Sequence, residues 1–167
     1  KLRQKKEEDL GYHSLNDTYT SGESGFSNVA VGEATYTIAF PYRDFREGGL
    51  KTHYGVEDEE GKINVNVLDA KVLSAFFQKV GEIDEDLADE LSYSIVDWRD
   101  SDNSLSHPEY GAKDDYYEDL ETPYESKDPK FESLEELLLV REMTPELFEK
   151  VKPFITIYGE GVVNINT

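Results

Sequence analysis

The sequence contains no cysteine, which excludes disulfide frameworks, thiol nucleophiles and cysteine-ligated zinc. It also lacks long apolar runs. The longest candidate, "LLLV" at 137–140, is far short of the ~18 residues of a membrane-spanning helix. Positive charge is scarce, with 17 Lys and Arg against 37 Asp and Glu, a formal net charge of −20. Such a surface repels nucleic acid and anionic membranes and favours cations or basic partners. No phosphate loop, nucleophile elbow or HExxH helix occurs. His13, His53 and His107 fall in polar connections and read as solvated. Among so many carboxylates some pair always resembles a general acid and base, so such pairs carry no information. The chain therefore reads as non-enzymatic. No signal peptide is visible, and the charged opening "KLRQKKEED" reads as a stem continuing from something absent.

The length, 167 residues, suits one domain, or a core with an insertion. Two heptapeptides one hundred positions apart carry one pattern, "EGKINVN" at 60–66 and "EGVVNIN" at 160–166. Ahead of the first, residues 1–28 are rich in Gly, Ser and Thr and read as a polar stem or linker. "NVAVGEATYTIAF" at 28–40 alternates as a strand, with Ala34, Tyr36, Ile38 and Phe40 on one face. "PYRDFREGGL" then reads as a long connection. Ile63, Val65 and Val67 predict a second strand, and "FITIYGEGVVNIN" a last one. Each Asn of the paired motifs is expected to bond backbone at a strand-to-helix corner, as Asn does in turns.

Between the motifs the period becomes helical. Asp69 caps a helix with Val72, Leu73, Phe76, Phe77 and Val80 on its apolar stripe, ending at Gly81. Asp84 opens another, with Leu87, Leu91, Ile95 and Trp98 at helical spacing. Ser133 and Glu136 form a capping box for a third through Val140, and Thr144-Pro145 starts a fourth. A second repeat lies inside the first: "KVGEIDEDLADELSYSI" at 79–95 aligns with "LVREMTPELFEKVKPFI" at 139–155. Two similar strands thus bracket an all-helical insertion of two helix–turn–helix units. A helix-hairpin-helix grip on DNA needs a glycine-rich turn and cations nearby. Arg141-Glu142 and the acids at 84–86 argue against it, so nucleic acid is excluded as a partner.

The sharpest feature is an acidic loop over 97–132 that lacks periodicity. From Asp97 to Glu136, fourteen acids face four Lys or Arg. A structureless loop this long is functional, disordered or pinned. Clustered carboxylates repel one another, and calcium with its six to eight oxygen ligands relieves that repulsion. Asp97, Asp100, Asp102, Asp114 and Asp115 are the candidate metal donors, with Glu109 a weaker one. The EF-hand template fails, because Leu105 falls at its glycine and Gly111 at its bidentate glutamate. A solvated acidic loop is the alternative. Tyr110, Tyr116, Tyr117 and Tyr124 can stack on sugars or pack the loop onto the helices.

In order and register, "DEEGKINVN", "IVDWRDSDN" and the run from "YGAKDDYY" to "VVNINT" resemble the minor pseudopilin K family of the bacterial type II secretion system. The resemblance covers roughly residues 54–167. It implies an α+β fold, a pilin-like body with a small antiparallel sheet and a large inserted all-helical domain that is SAM-like or helix-hairpin-helix-like. On that reading 29–67 and 157–167 form the strand body and 68–156 the insertion. It further implies a place at the pseudopilus tip on the periplasmic face of the inner membrane, and a hydrophobic membrane anchor in the full-length protein. Minor pseudopilins I and J are the implied partners, met through the strand body. Calcium in the acidic loop is a family feature and falls on 97–102 and 114–115. Lys113 stands where the family usually has Glu, and Val67 where it has Thr. A calcium-dependent extracellular glycan-binding module is the alternative function.

Overall fold

The computed structural model describes residues 22–43, 49–56 and 59–161. Most of the expected stem, and the second Asn motif beyond Gly161, lie outside the described residues. The chain divides after Gly61 into two compact units, so the first Asn motif falls in the helical unit rather than the strand body.

The first unit opens with one turn of helix, α1 (Glu23–Phe26), which buries Phe26. Strands β1 (Val29–Val31) and β2 (Ala34–Tyr36) then pair antiparallel, Val29 opposite Tyr36 and Val31 opposite Ala34. The single strand predicted over 28–40 is therefore corrected to a hairpin followed by the start of another strand. Gly32, at φ +62°, supplies the left-handed first central residue of the two-residue turn, the place a type II′ turn reserves for glycine. A phase change marks it: the apolar positions shift from Val29 and Val31 to Ala34 and Tyr36, which the turn brings onto one face. β3 (Ala39–Arg43) pairs antiparallel with β4 (Leu50–Tyr54), so the ends of the expected connection are strands. Pro41 stands opposite Thr52 in a strand that, among the described residues, has one partner, and so leaves room for proline's missing donor. His53, expected in solvent, lies between the rings of Phe40 and Tyr42, with centroids 5.1 and 6.1 Å away.

The second unit is mainly helical. Its two short strands, β5 (Ile63–Asn64) and β6 (Ile155–Thr156), pair parallel, bringing the start and end of the unit side by side. Both are shorter than predicted. After Asn64 the chain turns, with the Val67 and Leu68 amides bonding the Asn64 carbonyl. α2 (Ala70–Phe76) widens into a π turn at Phe77–Gly81, and Val72, placed on its apolar stripe by period, is exposed. α3 (Glu85–Arg99) is the longest element, and α4 (Asp114–Glu118) is a short helix inside the stretch read as aperiodic. The third predicted helix is a 3-10 helix, Leu134–Leu139. α5 (Pro145–Val151) follows. Three side chains cap as predicted: Val72, Leu87 and Leu147 donate their amides to Asp69, Asp84 and Thr144 at 2.9, 3.0 and 3.1 Å. Leu73, Phe77, Leu91, Ile95, Trp98, Leu137 and Phe148 pack in the core they enclose.

The internal repeat is physical. Glu82 and Glu142, equivalent at the offset of sixty, both take the left-handed conformation, at φ +57° and +67°. Each turn then meets the helix of the other copy at equivalent positions. The Lys150 ammonium donates to the Gly81 carbonyl at 2.8 Å, and Arg141 pairs with Glu90 at 3.2 Å. Where the second copy has Arg141 the first has Gly81, and a Cβ there would sit 2.9 Å from Leu147 Cδ1, so a larger residue would need that side chain to shift.

Candidate functional site

The acidic loop is pinned to the helices at several points. Asp97, in the last turns of α3, is fully buried; its Oδ1 accepts the Ser106 amide at 2.8 Å. Its Oδ2 is sealed from solvent without a partner, and burial pushes the carboxyl above the ordinary aspartate range. Gly111 lies against it: a Cβ there would overlap Asp97 Oδ2 and come 2.9 Å from the His107 carbonyl. Asp102 Oδ1 accepts the Ser104 amide at 2.7 Å, a local turn. Asp114 Oδ1 accepts both the amide and the hydroxyl of Ser126 at 2.7 Å, which holds its carboxyl below the ordinary range. Asp115 is exposed on the first turn of α4.

Asp100 ends α3, and its partner is Lys113. The ammonium donates to the Asp100 carboxylate and, at 3.2 Å, to the Asp100 carbonyl; Asp128 Oδ1 is 3.6 Å away. The structure thus gathers Asp100 and Asp128 around a lysine rather than the five expected donors around one point. Among the described residues no three carboxylate or imidazole groups converge on a metal-sized position. As folded, the donor set does not fit a shared calcium centre, since the ammonium holds Asp100 and Ser126 holds Asp114.

The loop aromatics pack. Tyr117 lies edge-on to Trp98 at 5.1 Å and stacked with Tyr124 at 5.3 Å, and the Tyr124 hydroxyl donates to the Leu139 carbonyl at 2.8 Å. His107, also expected in solvent, stacks on Tyr110 at 4.6 Å and against Tyr93 of α3 at 4.9 Å. Tyr116 is exposed beneath the Arg141 guanidinium. These rings join loop to helix rather than forming an open platform.

A second set of anchors holds the β5 corner. Asn64 Nδ2 donates to the carbonyls of Tyr158 and Gly159 at 2.6 and 2.8 Å, and its Oδ1 accepts the Asn66 amide at 2.8 Å. Asn66 Nδ2 donates to the carbonyls of Phe131 and Ile157 at 3.0 and 3.2 Å, and its Oδ1 accepts the Phe131 amide at 2.8 Å. Both side chains bond backbone, as the motif suggested, and they also reach strands of chain far away in sequence. Arg99 closes the corner, donating to the carbonyls of Val65 and Leu68. Arg99, Ser126 and Asp128 were not singled out by the sequence pattern; their roles come from tertiary contacts.

Residues 53–160 match the family model for protein K of the type II secretion system. The type II secretion system protein K of Aeromonas hydrophila is 35% identical over 88 residues, 52% of this chain and 26% of that protein. That of Pectobacterium carotovorum is 27% identical over 138 residues, 83% of this chain and 40% of that protein. The fold is similar to a chain in the crystal structure of the GspK-GspI-GspJ complex from enterotoxigenic Escherichia coli. There the TM-score is 0.57 and the identity 17%, covering 85% of this chain and 50% of that one. The chain spans about a quarter to a half of the length of these relatives.

Proposed function

We propose, from the premise that this chain belongs to the type II secretion system protein K family, that it is a non-enzymatic minor pseudopilin of the periplasmic pseudopilus. In this reading it caps the filament tip with pseudopilins I and J and helps nucleate assembly for protein export. The observation that carries it is the family match over 53–160, joined to a fold similar to a chain in a K–I–J complex. Membrane attachment would come from an anchor in the full-length protein. Among the described residues no helix is long and apolar enough to cross a membrane.

Two features of the fold support the finer reading. The helical unit starts and ends at the parallel β5–β6 pair, the geometry of a domain inserted into a strand body. The strand unit leaves apolar side chains uncovered: Val31 is 61% exposed, and Tyr36, Ile38 and Tyr42 about 40%. A lone two-stranded hairpin is marginal in water, so a partner chain over these strands stabilises both. Size-exclusion chromatography with light scattering, on this chain mixed with the soluble domains of pseudopilins I and J, tests the role. A ternary peak supports it, and three separate peaks at micromolar concentration contradict it.

A further inference from the structure

Repulsion within a loop so rich in carboxylates is eased where a cation sits among them, as Lys127 does beside Glu132 and Glu136, and at the end of α3 a second cation does the same. Here the cation is part of the chain. The Lys113 side chain is 10% exposed, and lysine is almost never buried unless paired. Its three N–H donors face three oxygens: the Asp100 carbonyl, the Asp100 carboxylate and Asp128 Oδ1. Asp100 ends the fifteen-residue α3, where the helix dipole adds its own preference for positive charge.

These oxygens come from separate parts of the chain. Asp128, in the left-handed conformation at φ +63°, donates its amide to the Trp98 carbonyl at 3.1 Å. Ser126 bridges it to Asp114: the Ser126 hydroxyl reaches Asp128 Oδ1 at 3.3 Å and Asp114 Oδ1 at 2.7 Å. The end of α3, the start of α4 and the returning loop at 126–128 therefore meet at one ammonium.

We propose that Lys113 is a built-in counter-ion where the acidic loop meets the end of α3, doing for Asp100 and Asp128 with one ammonium what a divalent cation would otherwise do, so that the loop folds without calcium. The inference is independent of the pseudopilin role.

Thermal unfolding of the chain, with Lys113→Gln and Lys113→Glu beside it, each in EDTA and in millimolar calcium, tests this. The wild type should melt at the same temperature in both buffers. Lys113→Gln should melt several degrees lower in EDTA, with faster proteolytic cleavage between 100 and 128. Lys113→Glu, which adds a carboxylate beside Asp100 and Asp128, should lose more in EDTA and regain part of it in calcium. Stabilisation of the wild type by calcium would overturn the proposal. So would a Gln variant that melts with the wild type, or a folded Glu variant indifferent to calcium.

Discussion

The helical unit encloses a continuous apolar core while leaving Val72, Leu139 and Tyr158 exposed, whereas the strand unit, among the described residues, buries Phe26 and leaves most of its apolar side chains in water. Leu73, Phe77, Leu91, Ile95 and Leu137 are fully buried in the first; Val31, Tyr36, Ile38 and Tyr42 are exposed in the second. The contrast extends to how each closes its polar groups. The helical unit ties irregular backbone with buried side chains, the amides of Asn64 and Asn66 at one corner and the ammonium of Lys113 at another. Among the described residues the strands of the other unit pair two by two.

The largest effect should follow from breaking what makes the helical unit self-sufficient. Asn66→Ala strands the buried amide and carbonyl of Phe131 and should cost roughly 2–6 kcal/mol, at ~1–3 kcal/mol per unsatisfied buried group. Urea unfolding measures it, and a midpoint like the wild type's would remove the Asn corner from the account. Next, Val31→Glu with Tyr36→Glu puts charge on the uncovered hairpin face. It should weaken complex formation with pseudopilins I and J by about 30-fold or more, as loss of a ~2 kcal/mol hot spot does. The melting of the helical unit should stay unchanged, and equal loss of both properties would dissolve the distinction between the units. Gly111→Ala should destabilise by about 1–3 kcal/mol, the range for overpacking, because its Cβ meets Asp97 and the His107 carbonyl.

The smallest effect is on pH dependence. Burial raises the Asp97 carboxyl above its ordinary value of 3.8, so the native state holds this proton more tightly than the unfolded chain. That contribution to stability is fully present below 3.8 and is lost as pH rises through the raised native value. Denaturant titrations from pH 7 downward should show the wild type gaining stability relative to Asp97→Asn. Parallel curves would mean that Asp97 titrates normally.

How far the sequence reveals this follows from the range of each interaction. The caps at Asp69, Asp84 and Thr144 are legible because donor and acceptor lie three residues apart. The repeat of sixty is legible because both copies need the same left-handed turn, at Glu82 and Glu142. The hairpin at Gly32 is easily overlooked because alternation resumes beyond its turn, and only the shift of phase between Val31 and Ala34 marks it. The 3-10 form of 134–139 is hidden because a capping box precedes either kind of helix. The Lys113 anchor is hardest to read, since its meaning depends on Asp128 arriving from fifteen residues away. Acid count points to a metal there, and the fold answers with an ammonium.

Amide hydrogen exchange on the chain, free and mixed with the soluble domains of pseudopilins I and J, tests most directly whether the strand unit is the assembly face. The account predicts added protection within 29–43 and 50–54, with α3 and the acidic loop exchanging as in the free chain. Protection gained on α3 and the loop, with the strands unchanged, would contradict it.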